Sequence, residues 1–546
     1  MHFQVIENSN SDKNITLASC ADAIITHIGR FLTIQEQIQF ATSNTRIKAK
    51  VFSGLLDVTY PIKDILSLKQ FLSHNPNVTS LTLSILTTYG TKEDISPSNL
   101  LVLQEFFPKI TNLDLYCSFP DLCWFEGLTK LRTLAVTNCK VNISLCTNFP
   151  AITNLKLVNY RKDFSLKLLQ SLPLQHLTLE ECPLVNVSQL TNLAYLKILL
   201  IRRQRCDVLY SLPTCPNLEC IMLINVLPID IGPLHILEQL QEFRYETTIK
   251  DYHPTIDLEF LRSCKALTTV ILNRVDITSI EALSTCSSLQ KVWINKAINL
   301  VDISPLTRLP VVKDVSVVST NLEVLSEATF PSSLTQLELD GKILAGNIRF
   351  TSKVKSISFN FKEYKNDFTC LDSPLLQDSL SSLGILSFML KEPETTYITK
   401  LTNLRGICIG GITDTNVSIF NSLTKLHTIS IHTSTLTSLE GLKSCVNLRT
   451  LYLTNNAQLV YIQALKDIVG IKKIVIDSCR NIHCPEVLNH CANLETLSFN
   501  NCGRICITPF KACPKLQKLQ LDGRDITSEK LLAHNEGDLL VAEREI

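Results

Sequence analysis

The residues of this chain with the greatest capacity for chemistry crowd together near the C-terminus, over positions 479–513. Thiolates and imidazoles are the ligands that Zn²⁺ prefers in structural sites. The segment contains Cys479, His483, Cys484, His490, Cys491, Cys502, Cys506 and Cys513. Zinc sites usually rest on short pairs such as Cys-x-x-Cys, and no such pair occurs here. Four of these cysteines also recur at fixed offsets from a leucine pattern, so we predict that the cluster is structural and holds no metal.

Motifs for phosphate or nucleophile chemistry are absent from the sequence. There is no Walker loop, no Gly-x-Gly-x-x-Gly and no Gly-x-Ser-x-Gly elbow, and the chain has only 16 glycines. A cysteine nucleophile would need a histidine within reach in three dimensions, which a sequence cannot supply. We therefore predict that the protein is not an enzyme and binds no cofactor.

The dominant pattern is a leucine skeleton that recurs about every 22 residues. A representative copy is Leu448-x-x-Leu451-x-Leu453, followed by Asn455-Asn456. Further copies begin at Ile110, Leu131, Ile152, Leu174, Leu267, Leu289, Leu334, Leu404, Leu426, Ile471, Leu494 and Leu516. The chain resembles the leucine-rich repeat family over most of its length. The gaps between copies widen near 78–110, 240–267 and 354–383, where longer loops or irregular units are expected.

The repeat predicts an α/β fold, a leucine-rich repeat solenoid. The Leu-x-Leu pair alternates with period two and indicates a short strand with one buried face. The apolar residues that follow recur every three positions, as a short helix or 3-10 turn requires. Units this short predict a curved horseshoe with a concave parallel sheet and short convex turns. Since one unit cannot bury its apolar face alone, neighbouring units must stack.

Charge, apolar content and cysteine content together predict the cellular location of the protein and the classes of partner it binds. The net charge of +1 gives no overall electrostatic case for nucleic acid. No apolar run is long enough to cross a bilayer, and Met1–Asn14 lacks a signal-peptide core. The chain has 20 cysteines, many at repeat positions where a buried reduced thiol packs well. These features predict a cytoplasmic protein, with the nucleus as an alternative, and no membrane or nucleic-acid partner.

Residues 15–75 lack the repeat and show helical spacings instead. The first three predicted helices resemble an F-box, on the pattern Ile24-Ile25-x-x-Ile28-x-x-Phe31-Leu32 and the following segments 33–42 and 43–48. The sequence departs from that family at Cys20-Ala21, where Leu-Pro is usual, and at Ile47, where tryptophan is frequent. The resemblance implies docking on a Skp-type adaptor of a cullin ubiquitin ligase. The implied docking residues are Ile25, Ile28, Phe31, Leu32 and Ile34.

A second interpretation of residues 15–75 remains open, because a plain helical cap over the first repeat would be equally apolar. Pro61 is predicted to open the last helix of this module, since proline suits a first helical turn. The predicted organisation is a disordered segment 1–14, a helical module 15–75, a solenoid of about twenty units over 76–527, and a helix-like C-terminal cap over 528–546.

The strand residues between the buried leucines are predicted to face the concave side, where a protein partner would bind. Most are small or polar, but the middle of the array offers Met222, Ile224, Arg244, Ile271 and Trp293. An exposed tryptophan and an arginine among apolar neighbours resemble an interface anchor. The predicted function is substrate recognition for a ubiquitin ligase. The alternative is a plain scaffold or phosphatase-regulator-like repeat protein.

Overall fold

The computed structural model describes residues 57–526 with gaps, the longest of which is 85–101, and residues 539–540. The chain divides into two compact units, Met1–Pro233 and Leu234–Ile546.

The first unit contains one parallel ladder in which each described strand pairs with the next in the chain. Its strands are β1 (Asp57–Pro61), β2 (Ser80–Ser84), β3 (Asn112–Tyr116), β4 (Thr133–Thr137), β5 (Asn154–Val158), β6 (His176–Glu180), β7 (Ile198–Arg202) and β8 (Cys220–Ile224).

The second unit repeats this arrangement. Its strands are β9 (Glu242–Glu246), β10 (Thr269–Asn273), β11 (Lys291–Asn295), β12 (Asp314–Val318), β13 (Ala328–Phe330), β14 (Gln336–Gly341), β15 (Ile348–Phe350), β16 (Ser356–Phe361), β17 (Ser382–Leu386), β18 (Gly406–Gly410), β19 (Thr428–His432), β20 (Thr450–Thr454), β21 (Lys473–Asp477), β22 (Thr496–Asn500), β23 (Ile505–Cys506), β24 (Lys518–Leu521), β25 (Arg524–Ile526) and β26 (Leu539–Leu540). The ladder runs in parallel from β9 to β24 and omits β13, β15 and β23. The pair β13–β15 forms a separate parallel sheet.

Short helices connect many of these strands. The described α-helices are α1 (Ile65–His74), α2 (Pro374–Ser379) and α3 (Glu394–Thr399). The described 3-10 helices are Gln104–Lys109, Leu122–Phe125, Ile143–Asn148, Leu166–Ser171, Leu212–Thr214, Gly232–Ile236, Glu259–Ser263, Glu281–Thr285, Ser304–Arg308, Thr369–Asp372, Val417–Ser422, Glu440–Ser444, Gln463–Asp467 and Pro485–His490. The prediction of short helical or 3-10 turns between strands is confirmed.

Many strands bury every second side chain, as the leucine skeleton predicts. In β20, Leu451 and Leu453 are fully buried, whereas the side chains between and beside them are partly exposed. The 3-10 helix before this strand, Glu440–Ser444, also buries an apolar side chain, Leu442. Complete burial of a leucine side chain stabilises the fold by roughly 1.5–3 kcal/mol. Within each unit the stacked repeats share one apolar core.

A left-handed residue ends many of the strands and turns the chain away from the sheet. Asn455 has φ 56°, and its N–H donates to the carbonyl of Asp477 in the next repeat at 2.9 Å. Asn138, Asn159 and Asn225 occupy the same position in the first unit. Asparagine tolerates this conformation better than most residues with a side chain, which explains its recurrence after the Leu-x-Leu pair.

The next position holds a buried polar ladder that ties neighbouring repeats together. Asn456 accepts a hydrogen bond from the N–H of Ser434 and donates one to the carbonyl of Ile431, each at 3.0 Å. Cys479, one repeat later, donates its thiol to the carbonyl of Leu453 at 3.8 Å. Asparagine and cysteine therefore play the same part at this position, as buried polar groups that hydrogen-bond to the backbone of the preceding repeat.

These features together are the leucine-rich repeat solenoid that the sequence predicts. The longer units are also confirmed, since strands on either side of each wide gap pair directly. Ser80 of β2 pairs with Asn112 of β3, and Glu242 of β9 pairs with Thr269 of β10. Extra residues are thus accommodated between strands without breaking the ladder.

The prediction was wrong about the beginning of the sheet. β1 lies inside the segment 15–75 that was predicted to be helical, and it pairs in parallel with β2. Pro61 ends this strand, and helix α1 begins only at Ile65. A proline N atom carries no hydrogen, which is tolerated at the outer side of an edge strand.

The C-terminal end of the ladder also differs from the prediction. The last parallel strand, β24, is covered by β25, which returns antiparallel through Asp522 and Gly523. Both of these residues have positive φ, as a tight hairpin turn requires. β26 lies within the segment predicted to be helix-like, but it pairs antiparallel with β23. A hairpin covers the edge because its backbone satisfies the unpaired N–H and C=O groups of β24.

Candidate functional site

The open face of each sheet consists of the strand side chains that point away from the 3-10 helices. Parallel pairing in register places equivalent residues of successive repeats beside one another, at a separation of about 4.8 Å between strands. Rows of side chains therefore run across the strands. A ligand on this face would contact several repeats at once.

Three of the predicted partner-binding residues form one such row in the second unit. Arg244 of β9 pairs with Ile271 of β10, which pairs with Trp293 of β11. We call Arg244, Ile271 and Trp293 the anchor row. Trp293 is 41% exposed, which is unusual for the largest side chain in a protein. The structure thus brings these three predicted residues together.

Charged groups surround the anchor row and hold its side chains in place. The Nζ atom of Lys291 lies 3.4 Å from the ring centroid of Trp293, a cation–π contact. The Nε atom of Arg244 lies 2.7 Å from Glu246 Oε1. These contacts orient the indole and the guanidinium without covering them. The row therefore presents an apolar centre with a charged rim.

The other two predicted residues, Met222 and Ile224, lie on β8 of the first unit. Register places Met222 beside Leu200 and Ile224 beside Arg202. All four side chains are partly exposed on the open face of that unit. The five predicted partner-binding residues consequently belong to two separate units, and only three form a single row.

The predicted adaptor-docking residues lie outside the part of the chain that the structure describes. These are Ile25, Ile28, Phe31, Leu32 and Ile34. Their role stays a prediction from the F-box resemblance.

A thiol, a hydroxyl and an imidazole meet on the open face of β18 and β19, a grouping that sequence reasoning missed. Cys408 pairs in register with Ser430, whose side chain hydrogen-bonds to the thiol. Ser430 Oγ lies 2.6 Å from His432 Nε2. Burial raises the pKa of Cys408, and burial lowers the pKa of His432. Both groups are therefore neutral at pH 7 and act as hydrogen-bonding groups. Only the strand register reveals that they are neighbours.

A row of cationic and imidazole side chains lies where β18 to β21 begin, and it was also missed. We call Arg405, His427, Arg449 and Lys472 the edge row, since each directly precedes a strand. Side chains at this position reach their neighbours, because Lys472 Nζ lies 2.7 Å from Glu495 Oε1 of the next repeat. The sequence signal was a basic residue or histidine after the first apolar residue of four consecutive repeats.

The cysteines near the C-terminus are structural wherever the structure describes them. Cys491 donates its thiol to the carbonyl of Leu465 at 3.5 Å, and Cys502 donates to Ile476 at 3.4 Å. Of the thirteen described thiols, only Cys408 is not buried. Burial raises the pKa of Cys491 to about 12. Within the described ranges, no group of three or more possible metal ligands occurs.

Among the described residues, no helix combines the length and apolar character that a membrane span requires.

Comparisons with known proteins concern the fold. No family model matches the chain, and no curated protein matches it either. An internalin from Listeria monocytogenes is 16% identical over 72% of this chain and 88% of its own, with a TM-score of 0.32. A plant peptide hormone receptor, solved in complex with RGF2, is 13% identical over 87% of this chain and 79% of its own, with a TM-score of 0.44. A leucine-rich repeat protein from Leptospira interrogans is 12% identical over 84% and 93%, with a TM-score of 0.35. The assignment of the fold therefore rests on the register and burial of this chain itself.

Proposed function

We propose that this protein is a non-catalytic, protein-binding leucine-rich repeat solenoid that uses the anchor row as the centre of its interface. The exposed indole of Trp293, flanked by Ile271 and Arg244 on adjacent strands, supports this proposal. Tryptophan and arginine are enriched among the residues whose truncation costs most binding energy, and such residues cluster at the centre of an interface.

The surroundings of the anchor row have the composition of an interface. Lys291, Glu242 and Glu246 border the apolar centre with polar groups, and a polar rim around an apolar centre is typical of protein–protein contacts. The backbone beneath is a rigid ladder, so the side chains need little reorganisation when a partner binds.

The finer proposal is that the partner is a substrate of a cullin-type ubiquitin ligase. It is supported by the F-box resemblance of residues 15–75 and by the order of that module before the repeats. Ile25, Ile28, Phe31, Leu32 and Ile34 would then dock on the Skp-type adaptor. The buried thiols, whose packing does not require oxidation, support a cytoplasmic or nuclear location.

The alternative is a scaffold or phosphatase-regulator-like protein that binds through the same open face. In that case the N-terminal segment only covers the first repeats, and no ubiquitin-ligase role follows. The anchor row serves both proposals, so the two differ only in what the N-terminal segment contacts.

The anchor row is tested by quantitative copurification with the full-length chain. Trp293→Ala should reduce specifically captured proteins by roughly tenfold or more, as expected for a central aromatic residue. Tyr461→Ala is the matched control, because this aromatic side chain is 54% exposed and lies outside the anchor row. Equal capture by the two variants would remove the anchor row from the interface.

The ubiquitin-ligase role is tested separately with a purified Skp-type adaptor. The intact chain should bind the adaptor, and the double variant Ile28→Asp/Phe31→Asp should not. The same variant should keep the copurifying proteins of the anchor row. If the intact chain does not bind the adaptor, the scaffold alternative replaces the adaptor role.

A further inference from the structure

A second surface of the Leu234–Ile546 unit carries chemistry that the anchor row lacks. Residues 400–520 contain thirteen Lys and Arg against six Asp and Glu, a net charge of +7. Part of this excess lies along the edge row and on β21, where Lys473 occupies the open face. We call Arg405, His427, Arg449 and Lys473 the basic strip. It takes three residues of the edge row and replaces the fourth, Lys472, by Lys473.

The cations of the basic strip have no acidic partners among the described residues. Arg405 and Arg449 are exposed. Lys473 Nζ lies 5.2 Å from the ring centroid of Tyr452, so it contacts an aromatic face rather than a carboxylate. Lys472 differs, because it is paired with Glu495. The positive charges of Arg449 and Lys473, in adjacent repeats, repel one another, and a bound anion would relieve that repulsion.

Small side chains with hydrogen-bonding groups border the basic strip. Gly384, Cys408 and Ser430 occupy one row across β17, β18 and β19. Gly384 is buried, and a Cβ atom on it would lie 2.7 Å from Ser358 Oγ, so the neighbouring serine already occupies that space. Cys408 and Ser430 are short and partly exposed, so an extended chain could approach the sheet closely over β18 and β19. Ser430 and the neutral His432 offer hydrogen bonds without adding charge.

We call the row Gly384, Cys408 and Ser430 the floor. We propose that the basic strip and the floor bind an extended acidic segment of a partner protein. Carboxylates would pair with Arg405, Arg449 and Lys473, since guanidinium–carboxylate pairs are strong and directional. Single-stranded nucleic acid is the less favoured ligand, because its binding relies on aromatic side chains on which bases stack. The described open face of β18 to β21 offers one large aromatic ring, Tyr452, and Lys473 already lies over it. The proposal does not depend on the anchor row.

The first test measures binding of the full-length chain to a fluorescein-labelled peptide of alternating Glu and Asp. The peptide should span four strands, about 15 Å at roughly 4.8 Å per strand. A Gln/Asn peptide of equal length and an oligouridylate serve as comparison ligands. We expect the acidic peptide to bind more tightly than both, with an affinity that falls as salt is raised.

Two charge-matched double variants locate the site. Arg405→Gln/Arg449→Gln should weaken binding of the acidic peptide by about tenfold. Lys466→Gln/Arg480→Gln removes the same charge from exposed positions outside the strip and should change binding less than about twofold. Equal losses in the two variants, tighter binding of the oligouridylate, or equal binding of the neutral peptide would each overturn the proposal.

Protection of a thiol from alkylation tests the proposal independently. It uses the unsubstituted chain, so it still tests binding if a variant fails to fold. Cys408 is the one described thiol that is not buried, and it lies in the floor. Its alkylation by iodoacetamide can be followed by mass spectrometry of the peptide 406–425. Because burial raises the pKa of Cys408, mildly alkaline buffer is required. Saturating acidic peptide should slow this reaction several-fold, and an unchanged rate would contradict binding at the floor.

Discussion

Two regions of the second unit share one backbone and one core but differ in surface charge. Residues 234–340, which include the anchor row, contain nine Lys and Arg against fourteen Asp and Glu, a net charge of −5. Residues 400–520, which include the basic strip, have a net charge of +7. We call residues 234–340 the acidic region and residues 400–520 the basic region. The near-neutral charge of the whole chain conceals this difference. Solvent-facing side chains do not take part in the packing between repeats, so their charges can differ from one region to another.

The two regions also differ in the polar ladder behind the strands. In the acidic region two successive ladder positions hold Val275 and Ala297, which are fully buried and apolar. The next holds Thr320, whose hydroxyl donates to the carbonyl of Asp340. In the basic region one ladder position holds the apolar Ile412. The next three hold Ser434, Asn456 and Cys479, which hydrogen-bond to backbone groups of the preceding repeat. The same position thus stabilises the stack mainly by apolar burial in the acidic region and mainly by hydrogen bonding in the basic region.

The largest expected effect tests whether the core is equivalent in both regions. Leu272 of β10 and Leu453 of β20 occupy the same register position and are buried to within 1%. Leu272→Ala and Leu453→Ala should each destabilise the fold by about 2–5 kcal/mol, since each leaves a cavity. Urea unfolding of the two variants measures this.

The matched controls for that prediction lie on the open face of the same strands. Thr269→Ala and Thr450→Ala remove a partly exposed side chain and should change stability by less than about 0.5 kcal/mol. If Leu272→Ala and Leu453→Ala differed by more than their own uncertainty while the controls agreed, the two cores would not be equivalent.

The equivalence of the cores explains why most of the fold could be predicted. A pattern such as Leu448-x-x-Leu451-x-Leu453 depends only on which side chains are buried, and burial repeats with the backbone. β1 was missed because Asp57–Pro61 has few aliphatic side chains and ends in proline. The hairpin β24–β25 was missed because its signal is the local pair Asp522-Gly523, which lies outside the repeat.

The second prediction concerns the polar ladder. Asn456→Ala should destabilise the fold by about 2–3 kcal/mol, because it leaves the buried N–H of Ser434 and the carbonyl of Ile431 without this partner. Val275→Ala, at the same position in the acidic region, should cost about 1–2 kcal/mol, since only methyl groups are lost. Urea unfolding compares them, and a larger loss for Val275→Ala would mean that hydrogen bonding does not distinguish the ladders.

The third prediction concerns how the free energy of unfolding depends on pH through the buried thiols of the two regions. Burial raises the pKa of Cys445 and of Cys491 to about 12 in the basic region, and raises the pKa of Cys264 to about 11 in the acidic region. Unfolding returns each thiol to a pKa near 9.0. The unfolded chain therefore loses protons first, and stability falls as pH rises from about 9 towards 12.

The magnitude follows from the same linkage. At about pH 10 each such thiol should reduce the free energy of unfolding by about 1.4 kcal/mol. Cys445→Ala and Cys491→Ala should flatten the dependence, as measured by urea unfolding at about pH 8 and pH 10. A dependence that survives both substitutions unchanged would assign the effect to other groups.

The candidate site could be predicted only in part, for a physical reason. Trp293 and Arg244 are conspicuous by residue type, so their exposure in the anchor row could be anticipated. The grouping of Cys408, Ser430 and His432 joins residues that are unremarkable alone and become neighbours only through the register of β18 and β19. The chemistry of the open face therefore depends on which residues of neighbouring repeats pair in register. The sequence predicts these pairs only where successive repeats have the same length.

The smallest expected effect concerns how the acidic region holds its tryptophan. Lys291 Nζ lies 3.4 Å from the centroid of Trp293, whereas Lys473 Nζ lies 5.2 Å from that of Tyr452 in the basic region. Lys291→Met, which keeps the aliphatic stem, should cost about 0.5–1 kcal/mol, and Lys473→Met should cost less because cation–π attraction falls with distance and with the smaller ring. Urea unfolding gives both values, and the tryptophan emission spectrum should shift only for Lys291→Met. An equal cost for the two substitutions would mean that the closer contact contributes nothing, and that packing alone holds the indole on the open face.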